Sequence, residues 1–88
     1  MVTFVIYDTS DDRVRLKFAE ACKDAGLVRF QYSAFRGEID REERETLGLR
    51  LAKILGDEEG RFLVQPVCEH DIDGALIVET CERIAYGE

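Results

Sequence analysis

No apolar run in the chain approaches the roughly 20 residues that a membrane-crossing helix needs, which leaves no candidate span. The N-terminus has none of the basic, apolar and small-residue regions of a secretory signal, so the expected location is the cytoplasm. Cysteine is sparse: Cys22, Cys68 and Cys81 are odd in number and far apart. With no C-x-x-C pair among them, a disulfide framework and a zinc finger are both excluded, and reduced, mostly buried thiols are the simpler reading. The one histidine, His70, has only Cys68 at weak metal spacing in "CEHDID" and reads as a surface loop residue. Nothing resembles a P-loop, a GxGxxG fingerprint or a nucleophile elbow, which removes the common nucleotide-binding and hydrolase signatures. Linkers, low-complexity segments and internal repeats are also missing.

What is present fits one small domain, residues 1–88, with no room for a second core. At this size folding buries only about 60–65% of the chain's surface, so a monomer gains from dimerising. An apolar fraction of 45% beside 35% charged residues is that of an ordinary globular protein. The net charge of −7 argues against indiscriminate polyanion binding, although it permits a local basic patch. Nine arginines stand against three lysines. Arginine forks match phosphate oxygens in pairs, but surface ion pairs with the many carboxylates account for most of them.

Val2, Phe4, Val5, Ile6 and Tyr7 make a nearly continuous apolar run, the mark of a central strand covered on at least one face. Val14, Phe18, Ala21, Cys22 and Ala25 then recur at helical spacing, with Thr9 or Ser10 as N-cap and Gly26 as the terminator. After Gly26 the period becomes two: Val28, Phe30 and Tyr32 point one way, and Arg29, Gln31 and Ser33 the other. Past Ser33 the in-phase set is Phe35, Gly37 and Ile39, so a turn or bulge belongs near Ser33–Ala34. Asp40 opens a second helix with Glu43 at capping-box spacing, Leu47, Leu51, Ile54 and Leu55 form its stripe, and Gly56 closes it. The loop "GDEEG" leads to a strand, "RFLVQPV", in which Pro66 either ends the strand or exposes an edge. The tail accommodates a short helical turn and one or two strands, "RIAYG" being the most strand-like piece. With right-handed crossovers this order predicts an α+β fold, a ferredoxin-like βαββαβ sandwich with two helices on one face of an antiparallel sheet, plus an extra C-terminal strand.

Among groups that carry chemistry, Asp8 is the most informative, because it ends a buried strand immediately before a helix. A carboxylate there can hold Mg²⁺, which takes one or two protein carboxylates and keeps several waters. Asp11 and Asp12 suit the first turn of the helix with no metal present. Arg13, Arg15 and Lys17 follow on that helix, and Arg29 and Arg36 lie on or beside the strand pair. Basic groups near a metal-binding carboxylate are what a phosphodiester site needs.

The stretch "FVIYDTSDDRVRLKFAEACKDAGLVRFQYSAFRGEI" resembles the CRISPR-associated protein 2 family, the smaller of the two core proteins of spacer acquisition. An apolar strand ending Tyr-Asp, an acidic-basic turn, and Gly-Leu-x-Arg-x-Gln-x-Ser-x-Phe-x-Gly carry the resemblance over about the first 40 residues. It implies a ferredoxin-like homodimer in which Asp8 of each subunit lies near the interface, acting as an Mg²⁺-dependent endonuclease on RNA or double-stranded DNA. It also implies a non-catalytic role as the bridge between dimers of the CRISPR integrase and the incoming DNA. The family's basic positions correspond to Arg15 and Arg29, and its strand-pair phenylalanine to Phe35. Ala34 stands where the family usually has a larger apolar residue. The acidic net charge is a larger departure and bears on DNA binding by the isolated dimer. The expected site is therefore Asp8 as catalytic and metal-binding residue, with Arg15, Arg29 and Arg36 contacting nucleic acid. A purely architectural module and a ligand-binding regulatory module are the alternatives.

Overall fold

The computed structural model describes residues 1–78. Seven elements follow one another: β1 (Val2–Asp8), α1 (Asp12–Asp24), β2 (Val28–Gln31), β3 (Ala34–Glu38), α2 (Arg41–Leu55), β4 (Arg61–Val67) and the short α3 (Glu69–Asp73). The four strands form one sheet in the order β2-β3-β1-β4, each adjacent pair antiparallel. This is the ferredoxin-like arrangement, with α1 and α2 packed on one face. The "RIAYG" segment, expected as an extra strand, lies outside the described residues.

β1 is central and alternates strictly. Thr3, Val5 and Tyr7 are buried toward the helices, while Phe4, Ile6 and Asp8 face the opposite, uncovered side. An apolar run therefore serves two surfaces, only one of which the described residues cover. The covered side holds the core: Val5, Tyr7 and Phe35 from the sheet meet Val14, Phe18 and Cys22 of α1 and Leu47 and Leu51 of α2. Tyr7 packs edge-on against Phe18 at 5.1 Å, and Phe18 edge-on against Phe62 at 5.8 Å.

Helix α2 begins with the expected capping box. Asp40 accepts from the Glu43 amide at 2.7 Å, and Glu43 accepts from the Asp40 amide at 2.8 Å. Gly56 ends it at φ +54°. The cap of α1 differs from expectation: Asp11 is the N-cap, its carboxylate accepting from the Val14 amide at 3.0 Å. Thr9 is engaged elsewhere, donating to the Glu59 carbonyl at 3.0 Å and accepting from the Asp11 amide at 3.2 Å. Its hydroxyl thus ties the end of β1 to the entry of β4, a long-range contact that local capping rules do not anticipate.

The parity slip resolves as a turn at Tyr32–Ser33 together with a bulge between Arg29 and Gln31. Val28 pairs with Arg36 and Arg29 with Phe35, so β2 shows its apolar side chains to the uncovered face and Arg29 to the helix side. Gly37 sits where a Cβ would lie 2.8 Å from Leu27 Cδ2, which explains a glycine in a paired strand. Pro66 stays in register opposite Thr3, because among the described residues β4 is the sheet edge and its proline needs no outer partner.

Candidate functional site

Asp8 is the last residue of β1, and its side chain is 80% exposed on the uncovered face. Directly opposite in the β1–β4 register is Arg61, whose guanidinium lies 3.9 Å from the carboxylate. An exposed pair at that separation contributes at most about 1 kcal/mol and leaves the carboxylate oxygens accessible. Around it the sheet presents Phe4, Ile6, Val28, Phe30 and Leu63. Ile6, Val28, Phe30 and Leu63 are between 44% and 68% exposed. Phe4 meets Phe30 edge-on at 5.5 Å, and Arg36 places its guanidinium 5.7 Å from the Phe4 ring centre. The face is thus apolar in the middle, with Asp8 and Arg61 at one end.

The neighbouring acids do not join Asp8. Asp11 caps α1, and Asp12 is ion-paired with Arg15. Among the described residues no three His, Cys, Asp or Glu side chains gather as a metal site. Among the described residues the strand end therefore offers one accessible carboxylate, loosely paired with Arg61. An oxygen donor of this kind suits a hard cation, which keeps water on its remaining positions.

On the helix side, Arg15 and Arg29 flank a second feature. Arg15 donates to the Thr9 carbonyl at 2.8 Å, pairs with Asp12, and lies 6.0 Å from the Tyr32 ring centre. Arg29 covers the Phe35 ring at 5.1 Å and has no carboxylate partner among the described residues. With Tyr7, Leu16, Ala19 and Tyr32 they line a cavity of about 270 Å³, Asp12 at its rim. Burial pushes the Tyr7 phenol above its ordinary pKa, opposed in part by the Arg29 guanidinium beside it.

The four expected site residues therefore divide. Arg36 shares the uncovered face with Asp8, four β1 positions removed through its pairing with Phe4. Arg15 and Arg29 meet each other on the opposite side of the sheet. The period-two alternation of β1 is the reason, because Tyr7 points to the helices and Asp8 away from them. Sequence reasoning missed Arg61 and Tyr32. Arg61 was visible only as the first residue of a strand, since its pairing with Asp8 depends on the β1–β4 register. Tyr32 lay at the parity slip, the one signal that could have drawn notice to it.

A four-stranded antiparallel sheet backed by two helices, with one apolar face open among the described residues and an aspartate at the end of its central strand, defines a small ferredoxin-like α+β protein. Residues 1–74 match the family described as CRISPR associated protein Cas2. The chain belongs to the CRISPR-associated Cas2 family. It is 49% identical over 79 residues to the CRISPR-associated endoribonuclease Cas2 of Desulforudis audaxviator, covering 90% of this chain and 74% of the relative. It is 36% identical over 78 residues to the CRISPR-associated endoribonuclease Cas2 1 of Archaeoglobus fulgidus, covering 89% and 83%. The crystal structure of Streptococcus pyogenes Cas2 superposes with a TM-score of 0.76 over 90% of this chain and all of that one. At 18% identity this similarity speaks for the fold alone. A hypothetical protein of Thermus thermophilus superposes with a TM-score of 0.69 at 30% identity, covering 76% and 80%.

Proposed function

We propose that the protein is a CRISPR spacer-acquisition protein of the cytoplasm that works as a homodimer and hydrolyses phosphodiester bonds in RNA or double-stranded DNA. The observation that carries this reading is the accessible Asp8 carboxylate at the end of the central strand, beside an uncovered apolar face. The name endoribonuclease borne by the relatives supports the activity. Burying Ile6, Phe30 and Leu63 against a second copy offsets the marginal core of a small domain, and brings a second Asp8 toward the first. Two Asp8 carboxylates would then hold one Mg²⁺, which supplies a water of lowered pKa and neutralises phosphate charge. Arg36 on the same face, and Arg15 and Arg29 round the sheet edge, hold the nucleic-acid backbone in place.

The test compares wild type with Asp8→Ala on single-stranded RNA and on duplex DNA, in Mg²⁺ and in EDTA. Cleavage by wild type in Mg²⁺, lost in EDTA and in the variant, is the expected result. Products that form despite both changes overturn the site.

A second reading draws on the lone carboxylate and its Arg61 partner. Here the dimer is an architectural subunit that bridges the CRISPR integrase and the incoming DNA, and Asp8 is one half of a surface ion pair. It expects co-purification with the integrase and spacer acquisition that tolerates Asp8→Ala. Loss of acquisition in the variant, with the complex intact, counts against it.

A further inference from the structure

Tyr32 is 74% exposed at the β2–β3 turn, an unusual degree of exposure for an aromatic ring. It is nevertheless braced. The Arg15 guanidinium lies 6.0 Å from its centre, and Arg15 is itself held by the Thr9 carbonyl and by Asp12. Arg15 shares its charge with the exposed Asp12 and, within this cavity, braces the ring. The uncompensated cation of the cavity is Arg29, which has no carboxylate partner among the described residues and stacks on Phe35. Leu16 and Ala19 supply apolar surface, and the Tyr7 phenol adds a polar group. An aromatic platform, an apolar wall and one free guanidinium around about 270 Å³ suit a planar heterocycle joined to a single phosphate.

We propose that this cavity binds one unpaired nucleotide, the base stacked on Tyr32 and its phosphate against Arg29. A base inside a duplex keeps both faces in the stack and cannot enter a recess of this size, whereas an unpaired base presents its face freely. The site therefore selects single-stranded or frayed nucleic acid over blunt duplex. The inference rests on the nucleic-acid reading above and is independent of Asp8, which lies on the other side of the sheet.

The experiment measures binding in EDTA, so that metal and cleavage do not enter. Fluorescein-labelled single strands of about 12 nucleotides and a blunt duplex of the same length are titrated with wild type, Tyr32→Leu, Tyr32→Phe and Arg29→Gln, and followed by anisotropy. Removing one stacking platform should weaken single-strand binding about tenfold in Tyr32→Leu, with Tyr32→Phe near wild type and duplex binding within about twofold. Arg29→Gln should lower single-strand affinity and flatten its salt dependence. Because the chain has no tryptophan, Tyr32→Trp adds a single tryptophan whose emission, excited selectively beyond the tyrosine band, should be quenched by the single strand and not by the duplex. Single-strand binding that ignores Tyr32→Leu, or duplex binding that falls equally, overturns this inference alone. Failure of wild type to bind either form at low salt overturns the nucleic-acid reading with it.

Discussion

Replacing Gly60 by alanine puts a methyl group where the strand end that carries Asp8 has no room. Gly60 precedes β4 at φ +152°, a conformation that costs a side-chain-bearing residue about 1–3 kcal/mol. The new Cβ would lie 2.8 Å from Thr9 Cβ, 3.0 Å from the Asp8 carbonyl oxygen and 3.1 Å from Thr9 Oγ1. None of these is the far end of a flexible side chain. Thr9 is β-branched, and its hydroxyl is committed to the Glu59 carbonyl and the Asp11 amide, so rotating it away sacrifices both bonds. Overpacking of this kind adds about 1–3 kcal/mol, giving a total of about 2–6 kcal/mol. That is a large part of the roughly 4–13 kcal/mol expected of a domain this size. Gly48 is the matched control: it lies inside α2 without a positive φ, and an added Cβ meets nothing within 4 Å. Gly48→Ala should therefore gain about 0.5–1 kcal/mol. Urea unfolding followed by circular dichroism, at one fixed protein concentration, measures both. A loss below about 0.5 kcal/mol in Gly60→Ala, with an unchanged urea slope, would refute the claim that the strand end at Asp8 and Thr9 has no room for a side chain at Gly60.

Two further outcomes are expected. Burial pushes the Cys22 thiol from 9.0 up to about 11, with Arg29 and Arg50 opposing the shift. The fold prefers the neutral thiol, so its contribution is complete below pH 9 and is lost as the pH rises through about 11; pH-dependent unfolding of Cys22→Ala should show a shallower alkaline decline. Leu63→Lys places a charge on the uncovered face beside Ile6, where the side chain is half exposed in one chain and its change costs that chain little. If the proposed dimer forms through this face, analytical ultracentrifugation should show the variant shifted toward monomer relative to wild type, and an unchanged dimer would remove this face from the interface.

Features governed by near neighbours were legible in the sequence. The Asp40–Glu43 capping box, the Gly56 stop, the stripe led by Leu47 and Leu51, and the strand "RFLVQPV" all appear where the pattern put them, because each depends on residues within a turn or two. The parity slip after Ser33 located the β2–β3 turn for the same reason, and the Tyr-Asp strand end with its downstream pattern pointed to the family. Other features depend on how separate segments meet. Thr9 and Arg61 acquire their roles only when β4 pairs with β1, through contacts some fifty residues apart in the chain.

The amino-acid sequence by itself determined the elements, their order and the capping box of α2, since hydrophobic period and backbone chemistry act locally. Only the tertiary structure decided that Asp8 and Arg36 share the open face while Arg15 and Arg29 meet behind the sheet. Strand alternation assigns each residue a side, but only strand pairing and helix packing decide which side is covered and which neighbours each charge finds there.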